Sequence, residues 1–212
     1  LMLFVVDLDY AVQGMKKIWE HDSHVFDNVG LMVNIEGRGT WGPALLFETS
    51  PNNEKLLDLY ASASKYKRTY SLTTVVYGFM PNFTDFTIVK DFVPGVNFSN
   101  IADINGYHTD DDNFGNVNAG TVQHYGEQIL PLAYAYVTDP AYADKDALKG
   151  NRDTVNFTVP VLGLFNVNKT LYLIINVVLF VFFLLLFALE GLRGRLKAAS
   201  VFKGSCSVLF MA

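Results

Sequence analysis

Short apolar runs and longer segments with helical spacing follow one another along the chain. Runs of four to eight residues rich in Val, Leu and Phe are typical of strands buried inside a sheet. Such runs predict strands at residues 1–9, 30–36, 43–49 and 95–101, and a further strand within residues 155–164. Strands that are apolar on both sides need helices to cover both faces of their sheet.

The segments between these strands carry apolar residues every three to four positions, which predicts amphipathic helices. Helices are expected at residues 11–20, 51–66, 85–92 and 118–137. Ser50 and Pro51 predict the start of the second helix, because Ser is a favoured cap and Pro suits the first turn. Pro131 should bend or interrupt the last one. The alternation predicts an α/β domain with a mixed sheet flanked by helices on both faces.

One apolar segment is much longer than the others. Leu171–Leu189 has 19 residues and no charge. As a helix it would extend about 28 Å, close to the roughly 30 Å of a hydrocarbon core. A helix that is apolar on every side has no face for water, which favours a transmembrane helix over a buried helix of a soluble domain. Its position late in the chain excludes a signal peptide.

Charge and cysteine content narrow the function classes. The 16 Lys and Arg against 21 Asp and Glu give a net charge of −5, and no basic stripe is available to neutralise phosphates. This argues against nucleic acid as a partner. The single cysteine, Cys206, excludes an internal disulfide framework and a cysteine zinc cluster.

Two short runs hold the candidate chemistry. Asn34–Pro43 (NIEGRGTWGP) carries Glu36 at the end of a predicted strand, and Tyr107–Asp112 (YHTDDD) carries His108 in a turn. A carboxylate oxygen and a neutral imidazole nitrogen are ligands that zinc prefers. The acidic triplet Asp110–Asp112 lacks the alternating spacing of a calcium-binding EF-hand loop, so we interpret it as a solvated turn.

Four pieces in a fixed order resemble the co-catalytic di-zinc aminopeptidase family. The resemblance is strongest to its membrane-anchored branch, which includes the vacuolar membrane protease and the endoplasmic-reticulum metallopeptidase. The pieces are Asn34–Ser50, Pro81–Phe86, Pro94–Ser99 and Tyr107–Asp112. The resemblance implies that the chain holds the C-terminal part of a peptidase domain, with a zinc aminopeptidase-like fold whose N-terminal part is missing.

The resemblance also implies a reaction and its residues. The family hydrolyses N-terminal peptide bonds with two zinc ions bridged by an Asp and with an adjacent Glu as general base. Its implied partners here are a peptide substrate and a membrane. By resemblance, Glu36 falls on a ligand of one zinc, His108 on a ligand of the other, and Asp9 on a further metal ligand. Supporting or substrate-positioning roles fall on Asp85, Tyr107 and Asp112.

The sequence departs from the family where catalysis needs it most. The family's Glu-Glu pair corresponds to Leu8 and Asp9, and Leu8 cannot accept a proton. Asp7 is a poor substitute, because successive strand residues point to opposite faces. The family's first His and bridging Asp would precede Leu1, and His21–Ser23 imitates their motif only superficially. We therefore assign no catalytic residue and expect the chain to be inactive or nearly so.

Three interpretations of function follow. The first is part of a membrane-anchored zinc exopeptidase, and the second is a non-catalytic peptidase-like ectodomain that acts as a membrane binding or scaffold module. The third is a gene fragment, since the chain begins inside an apolar run. The expected organisation is a partial peptidase-like domain, a connector, a transmembrane helix and a cytoplasmic tail, at residues 1–138, 139–169, 170–190 and 191–212.

Basic residues predict the orientation of the transmembrane helix. Arg193, Arg195, Lys197 and Lys203 follow it closely, whereas fewer basic residues lie shortly before it. The positive-inside rule therefore places the C-terminus in the cytoplasm and the peptidase-like domain outside the cell or in a lumen.

Overall fold

A computed structural model describes residues 12–194 of the chain. The strand predicted at residues 1–9, with Leu8 and Asp9, lies outside the described residues, as do residues 195–212. The chain divides into two compact units, Leu1–Lys169 and Thr170–Ala212.

The described residues contain six α-helices and five strands. The helices are α1 (Gln13–Asp22), α2 (Glu54–Ala63), α3 (Ser71–Phe79), α4 (Asp85–Val89), α5 (Ala119–Thr138) and α6 (Lys169–Leu192). The strands are β1 (Met32–Gly37), β2 (Leu45–Thr49), β3 (Gly95–Asn100), β4 (Thr154–Val159) and β5 (Gly163–Asn168). The predicted α/β class is confirmed, and the described part of each predicted element has its counterpart within a few residues.

The first three strands form a mixed sheet in the order β1-β3-β2. β1 runs parallel to β3, and β2 runs antiparallel to it with an irregular register between Leu46 and Glu48. Because side chains alternate along a strand, Val96 and Phe98 of β3 both face the same helices, and both are fully buried. α2 and α5 cover this face with Leu57, Tyr60, Leu132 and their neighbours.

α1 and α4 pack around a second apolar cluster, which contains Met15, Phe86 and Val89. α4 approaches β3 so closely that a Cβ on Gly95 would lie 2.5 Å from Cε2 of Phe86. Only glycine fits between the helix and the strand at this point, which explains the Pro94-Gly95 start of β3.

The start of the second helix was predicted wrongly, the interruption allowed for at Pro131 is absent, and one helix was missed. α2 begins at Glu54 rather than at Pro51, because the Ser50 hydroxyl accepts a hydrogen bond from the Gly95 N–H at 3.1 Å instead of capping the helix. α5 continues through Pro131 without interruption. α3 was not predicted at all.

The single strand expected within residues 155–164 is in fact a hairpin of two antiparallel strands, β4 and β5. The hairpin is tied to the segment before α3. Oγ1 of Thr69 donates to Oδ1 of Asn156 at 2.6 Å, and the Asn156 N–H donates to Oγ of Ser71 at 2.7 Å. Asn156 is only 4% exposed.

α6 has 24 residues and contains the predicted transmembrane segment. None of its side chains is buried. By length and composition, this helix can cross a membrane.

Candidate functional site

The face of β3 opposite Val96 and Phe98 is polar. Asn97 on this face is 0% exposed, and its Nδ2 donates to Oε2 of Glu48 at 3.0 Å and to Oγ1 of Thr84 at 3.0 Å. Glu48 is 2% exposed and forms an ion pair with Nζ of Lys90 at 2.7 Å. A buried carboxylate needs such partners, because an unpaired charge in the interior is very unfavourable.

This polar network extends to Glu36 at the end of β1. Asn34, two residues earlier on the same face of the strand, donates from Nδ2 to Oε1 of Glu36 at 2.8 Å and to Oδ1 of Asn97 at 2.9 Å. The Tyr125 hydroxyl donates to the backbone carbonyl of Glu36 at 2.6 Å. Both the side chain and the backbone of Glu36 are therefore held in place.

Asp85 is the first residue of α4. Thr84 caps the helix in a capping box with Thr87, and a carboxylate in the first turn is favourable near the positive end of the helix dipole. Asp85 is 5% exposed, yet its Oδ1 has no hydrogen-bond partner among the described residues. Burying an acceptor without a partner costs about 1–3 kcal/mol. This oxygen is therefore suited to take a proton or a donor from a ligand.

The hydrogen bonds of Asn34 and Asn97 link Glu36 to Thr84, the residue before Asp85. Burial raises the pKa of Glu36, and the charge of Asp85 raises it further, whereas the Asn34 hydrogen bond and the charge of Arg38 lower it. Burial also raises the pKa of Asp85. Two carboxylates from distant parts of the sequence thus lie near each other, both less acidic than in water.

Arg38 connects Glu36 to the turn that carries His108. Its guanidinium carbon lies 5.6 Å from the centre of the Tyr77 ring and 5.7 Å from the centre of the Tyr107 ring. The Tyr107 ring in turn stacks on the imidazole of His108, with 3.9 Å between the ring centres. Tyr107 therefore contacts both the Arg38 guanidinium and the His108 imidazole.

His108 itself is exposed and has a positive φ of 59°. The turn around it is held by its own hydrogen bonds, such as Oγ1 of Thr109 donating to the Gly106 carbonyl at 2.7 Å. The Asp112 N–H donates to the Thr109 carbonyl at 3.0 Å, while the Asp112 side chain is exposed. Asp112 thus contacts the turn through its backbone.

The predicted metal ligands among residues 12–194 do not form a complete zinc centre. Within residues 12–194, no group of three or more His, Cys, Asp and Glu side chains is placed to hold a metal ion. Catalytic zinc takes three protein ligands and a water molecule. Glu36, Asp85 and His108 therefore do not fit such a centre by themselves, and Asp9 lies outside the described residues.

Sequence reasoning missed three residues of this site: Arg38, Glu48 and Asn97. A signal existed for two of them, since Glu48 follows the apolar run Leu45–Phe47 and Asn97 lies between Val96 and Phe98. A polar residue in a buried strand is rare unless it is paired. Arg38 gave no comparable signal, because its aromatic partners come from segments about 40 and 70 residues away.

Comparisons with known proteins agree with the resemblance seen in the sequence. Residues 9–133 match the model of peptidase family M28. The chain is similar to putative endoplasmic reticulum metallopeptidase 1-A of Caenorhabditis elegans, with 29% identity over 163 residues, 75% of this chain and 17% of that protein. It is also similar to endoplasmic reticulum metallopeptidase 1 of Homo sapiens, with 33% identity over 138 residues, 63% of this chain and 15% of that protein.

The chain therefore spans less than a fifth of the length of these relatives. No solved structure matches it significantly.

Proposed function

Because the chain belongs to peptidase family M28, we propose that it forms part of a membrane-anchored exopeptidase that hydrolyses N-terminal peptide bonds. α6 supports the membrane anchor, since it can cross a bilayer. The similarity to endoplasmic reticulum metallopeptidases supports a lumenal or extracellular position for the peptidase-like domain. The cytoplasmic position of the C-terminus rests on the basic residues that follow α6.

The observation that carries this proposal is a pair of carboxylates. Glu36 lies near the C-terminal end of β1, and Asp85 follows the N-cap residue of α4. Glu36 is oriented by Asn34, and Asp85 has a buried oxygen that finds no partner within the described part of the chain. An ammonium group is a natural partner for two neighbouring carboxylates, because it offers three donors and the opposite charge. The α-amino group of a peptide has this chemistry, and its capture at this pair would restrict cleavage to the first peptide bond.

The remaining roles are proposals from the family resemblance. Asp9, Glu36 and His108 are proposed metal ligands, so in the zinc-loaded protein Glu36 would bind the metal and Asp85 would remain for the ammonium. Tyr107 and Asp112 are proposed to support the site. Zinc would polarise the scissile carbonyl and activate water, but the described residues supply too few ligands. We therefore expect the 212-residue chain alone to retain less than one zinc per chain and to release no amino acids.

Two measurements on the same chain, purified in detergent, test this proposal. Metal analysis after dialysis against zinc should give a low content that falls further in His108→Ala. Incubation with an unblocked peptide and its N-acetylated form should give no cleavage of either. Rapid hydrolysis by the 212-residue chain would overturn the expected inactivity.

The exopeptidase assignment is tested on the full-length protein isolated from its source membrane. It should release the first residue of the unblocked peptide, leave the N-acetylated peptide intact and lose activity with a chelator. Equal cleavage of both peptides, or cleavage of neither by a zinc-loaded protein, would contradict the assignment.

A second candidate is a non-catalytic peptidase-like ectodomain that binds peptides or acts as a scaffold at a membrane. The absence of a three-ligand metal group within residues 12–194 favours it. The discriminating result is peptide binding by the full-length protein without release of any residue.

A further inference from the structure

Arg38 is held in an unusual way. Among residues 12–194 its guanidinium has neither an ion pair nor a hydrogen bond, and its position is defined by the rings of Tyr77 and Tyr107. By contrast, the exposed Arg152 and Arg193 each bind a carboxylate. A guanidinium on an aromatic face keeps its N–H groups free at its edge, because the attraction acts through the ring plane.

The backbone on both sides of Arg38 is fixed. The Arg38 N–H donates to the Asn100 carbonyl at 3.1 Å, so the residue extends the pairing of β1 with β3. Gly39 follows at a φ of +128°, and a Cβ there would lie 2.1 Å from the Ala102 carbonyl oxygen. Glycine is thus required at this point, and Arg38 projects from a rigid base rather than from a free loop.

The nearest carboxylate in sequence does not neutralise Arg38. Glu36 lies two residues earlier on the same side of β1, and its Oε1 is taken by Asn34. The charge of Arg38 lowers the pKa of Glu36 without an ion pair forming between them. Consecutive residues on one side of a strand are separated by roughly 6.6 Å. The two side chains therefore start from well-separated points on the strand, and no ion pair joins them among residues 12–194.

From this arrangement we propose that Arg38 binds a carboxylate of the ligand, so that the cleft selects peptides with an acidic group close to their amino terminus. The inference deepens the proposed function, on which it rests, by naming the ligand class of the same cleft. Glu36 and Asp85 face the ammonium, and Arg38 faces the carboxylate of a zwitterionic ligand. The guanidinium fork matches a carboxylate with two parallel hydrogen bonds.

Binding is measured by calorimetry on the full 212-residue chain in detergent, with a chelator present so that hydrolysis plays no part. The central probes are Glu-Ala-Phe-amide and Gln-Ala-Phe-amide, which differ only in a carboxylate against an amide. The Glu peptide should bind about tenfold more tightly, which corresponds to one charge-assisted contact. Equal affinity of the chain for all acidic and neutral probes would overturn the inference.

The carboxylate has two possible sources, and a second pair of probes separates them. Gln-Ala with a free C-terminus is compared with Gln-Ala-amide. A preference confined to the Glu peptide identifies a side-chain carboxylate, and a preference confined to free Gln-Ala identifies a C-terminal one. Either result supports Arg38 as the carboxylate-binding group, provided that substitution of Arg38 abolishes the preference.

That dependence is tested with substitutions. Arg38→Met should reduce the preference to less than twofold, and Arg152→Met, at an exposed arginine elsewhere, should leave it unchanged. Arg38→Lys keeps the charge but not the planar fork, so it should lose most of the preference while preserving the fold if Arg38→Met unfolds. Full preference in a folded Arg38→Met or Arg38→Lys chain would overturn the inference.

Because these are binding measurements without metal, they separate the two proposals. A chain that prefers acidic peptides supports the role of Arg38 even if the full-length protein proves to be no peptidase. If the full-length protein cleaves neutral and acidic peptides equally and the 212-residue chain shows no binding preference, the role of Arg38 is contradicted. The exopeptidase proposal is still supported in that case.

Discussion

The two faces of β3 share one backbone but are stabilised in different ways, one by apolar packing and the other by hydrogen bonds. Val96 and Phe98 point into hydrocarbon supplied by α2 and α5, whereas Asn97 on the opposite face contacts Glu48 and Thr84. The apolar face is satisfied by burial alone. The polar face is satisfied only where each donor meets an acceptor, and it ends at an Asp85 oxygen for which residues 12–194 supply no donor.

The contrast shows that the apolar face of β3 contributes most to the stability of the domain, whereas the polar face contributes less than it could. Burying hydrocarbon is favourable in any orientation, so the apolar face tolerates small shifts. Buried polar groups are stabilising only if the geometry is right. A site that leaves one buried oxygen and one guanidinium unpaired is less stable than it could be, and ligand binding can recover that free energy.

The largest expected effect is on the apolar face. Phe98→Ala should lower the free energy of unfolding by about 3–5 kcal/mol, because it removes a fully buried ring and leaves a cavity. Denaturant unfolding monitored by circular dichroism measures the change. Phe114→Ala, at a ring that is 95% exposed, should alter stability by less than about 0.5 kcal/mol. Similar losses for both would show that the apolar face is not the core.

A smaller effect is expected on the polar face. Lys90→Met should cost about 1–3 kcal/mol, since it leaves the buried Glu48 carboxylate without its ion-pair partner, while the partial exposure of Lys90 moderates the loss.

Glu48→Gln in the same chain should restore part of the loss, because it removes the unpaired charge. If the losses of Lys90→Met and Glu48→Gln simply add in the double variant, the two residues are not coupled, which would contradict this prediction.

The smallest effect is a pH dependence at Asp85. Burial raises the pKa of Asp85 in the folded state above its ordinary value of about 3.8, so the folded state holds the proton more tightly than the unfolded state. Stability is therefore greatest below that value and falls as the pH rises through the interval up to the raised pKa. Asp85→Asn should reduce this fall, to which Glu36 also contributes, and raise Tm at neutral pH by about 2–4 °C, as expected for roughly 1 kcal/mol.

Thermal unfolding scans from pH 3 to pH 8 measure this difference. Asp110→Asn, in the exposed turn, serves as the control and should follow the original chain. A Tm for Asp85→Asn that falls with pH as steeply as in the original chain would rule out Asp85 as the source.

The sequence was most informative where one pattern dominated. Apolar runs and helical spacing predicted the described sheet strands and the helices α1, α2, α4 and α5. α3 escaped because SLTTVVYGF mixes Thr and Val in a way that resembles a strand, and none of its residues is buried. The β4–β5 hairpin was predicted as one strand because the residues of its turn, Pro160–Gly163, include two apolar side chains that continue the run.

The candidate site was predictable only in part. Glu36 and Asp85 were expected near each other because of the family resemblance and not because of their spacing. The network around them depends on which side chains face one another across β1, β2 and β3, which follows from the register of the sheet. Arg38 is the clearest case, since its two aromatic contacts depend on the course of two separate segments.

The burial of Asn97 and Asn156 also affects how the chain can be modified. Both lie in Asn-x-Ser/Thr triplets, which are acceptors for N-linked glycans in the secretory pathway. Neither amide is within reach of an oligosaccharide-transferring enzyme once the domain has folded, because the two residues are 0% and 4% exposed. A sugar attached earlier, to the nascent chain, would prevent β3 or β4 from packing. In a lumenal domain, folding and glycosylation would therefore compete at these positions, and the partly exposed triplet that begins at Asn82 would be better suited to carry a glycan.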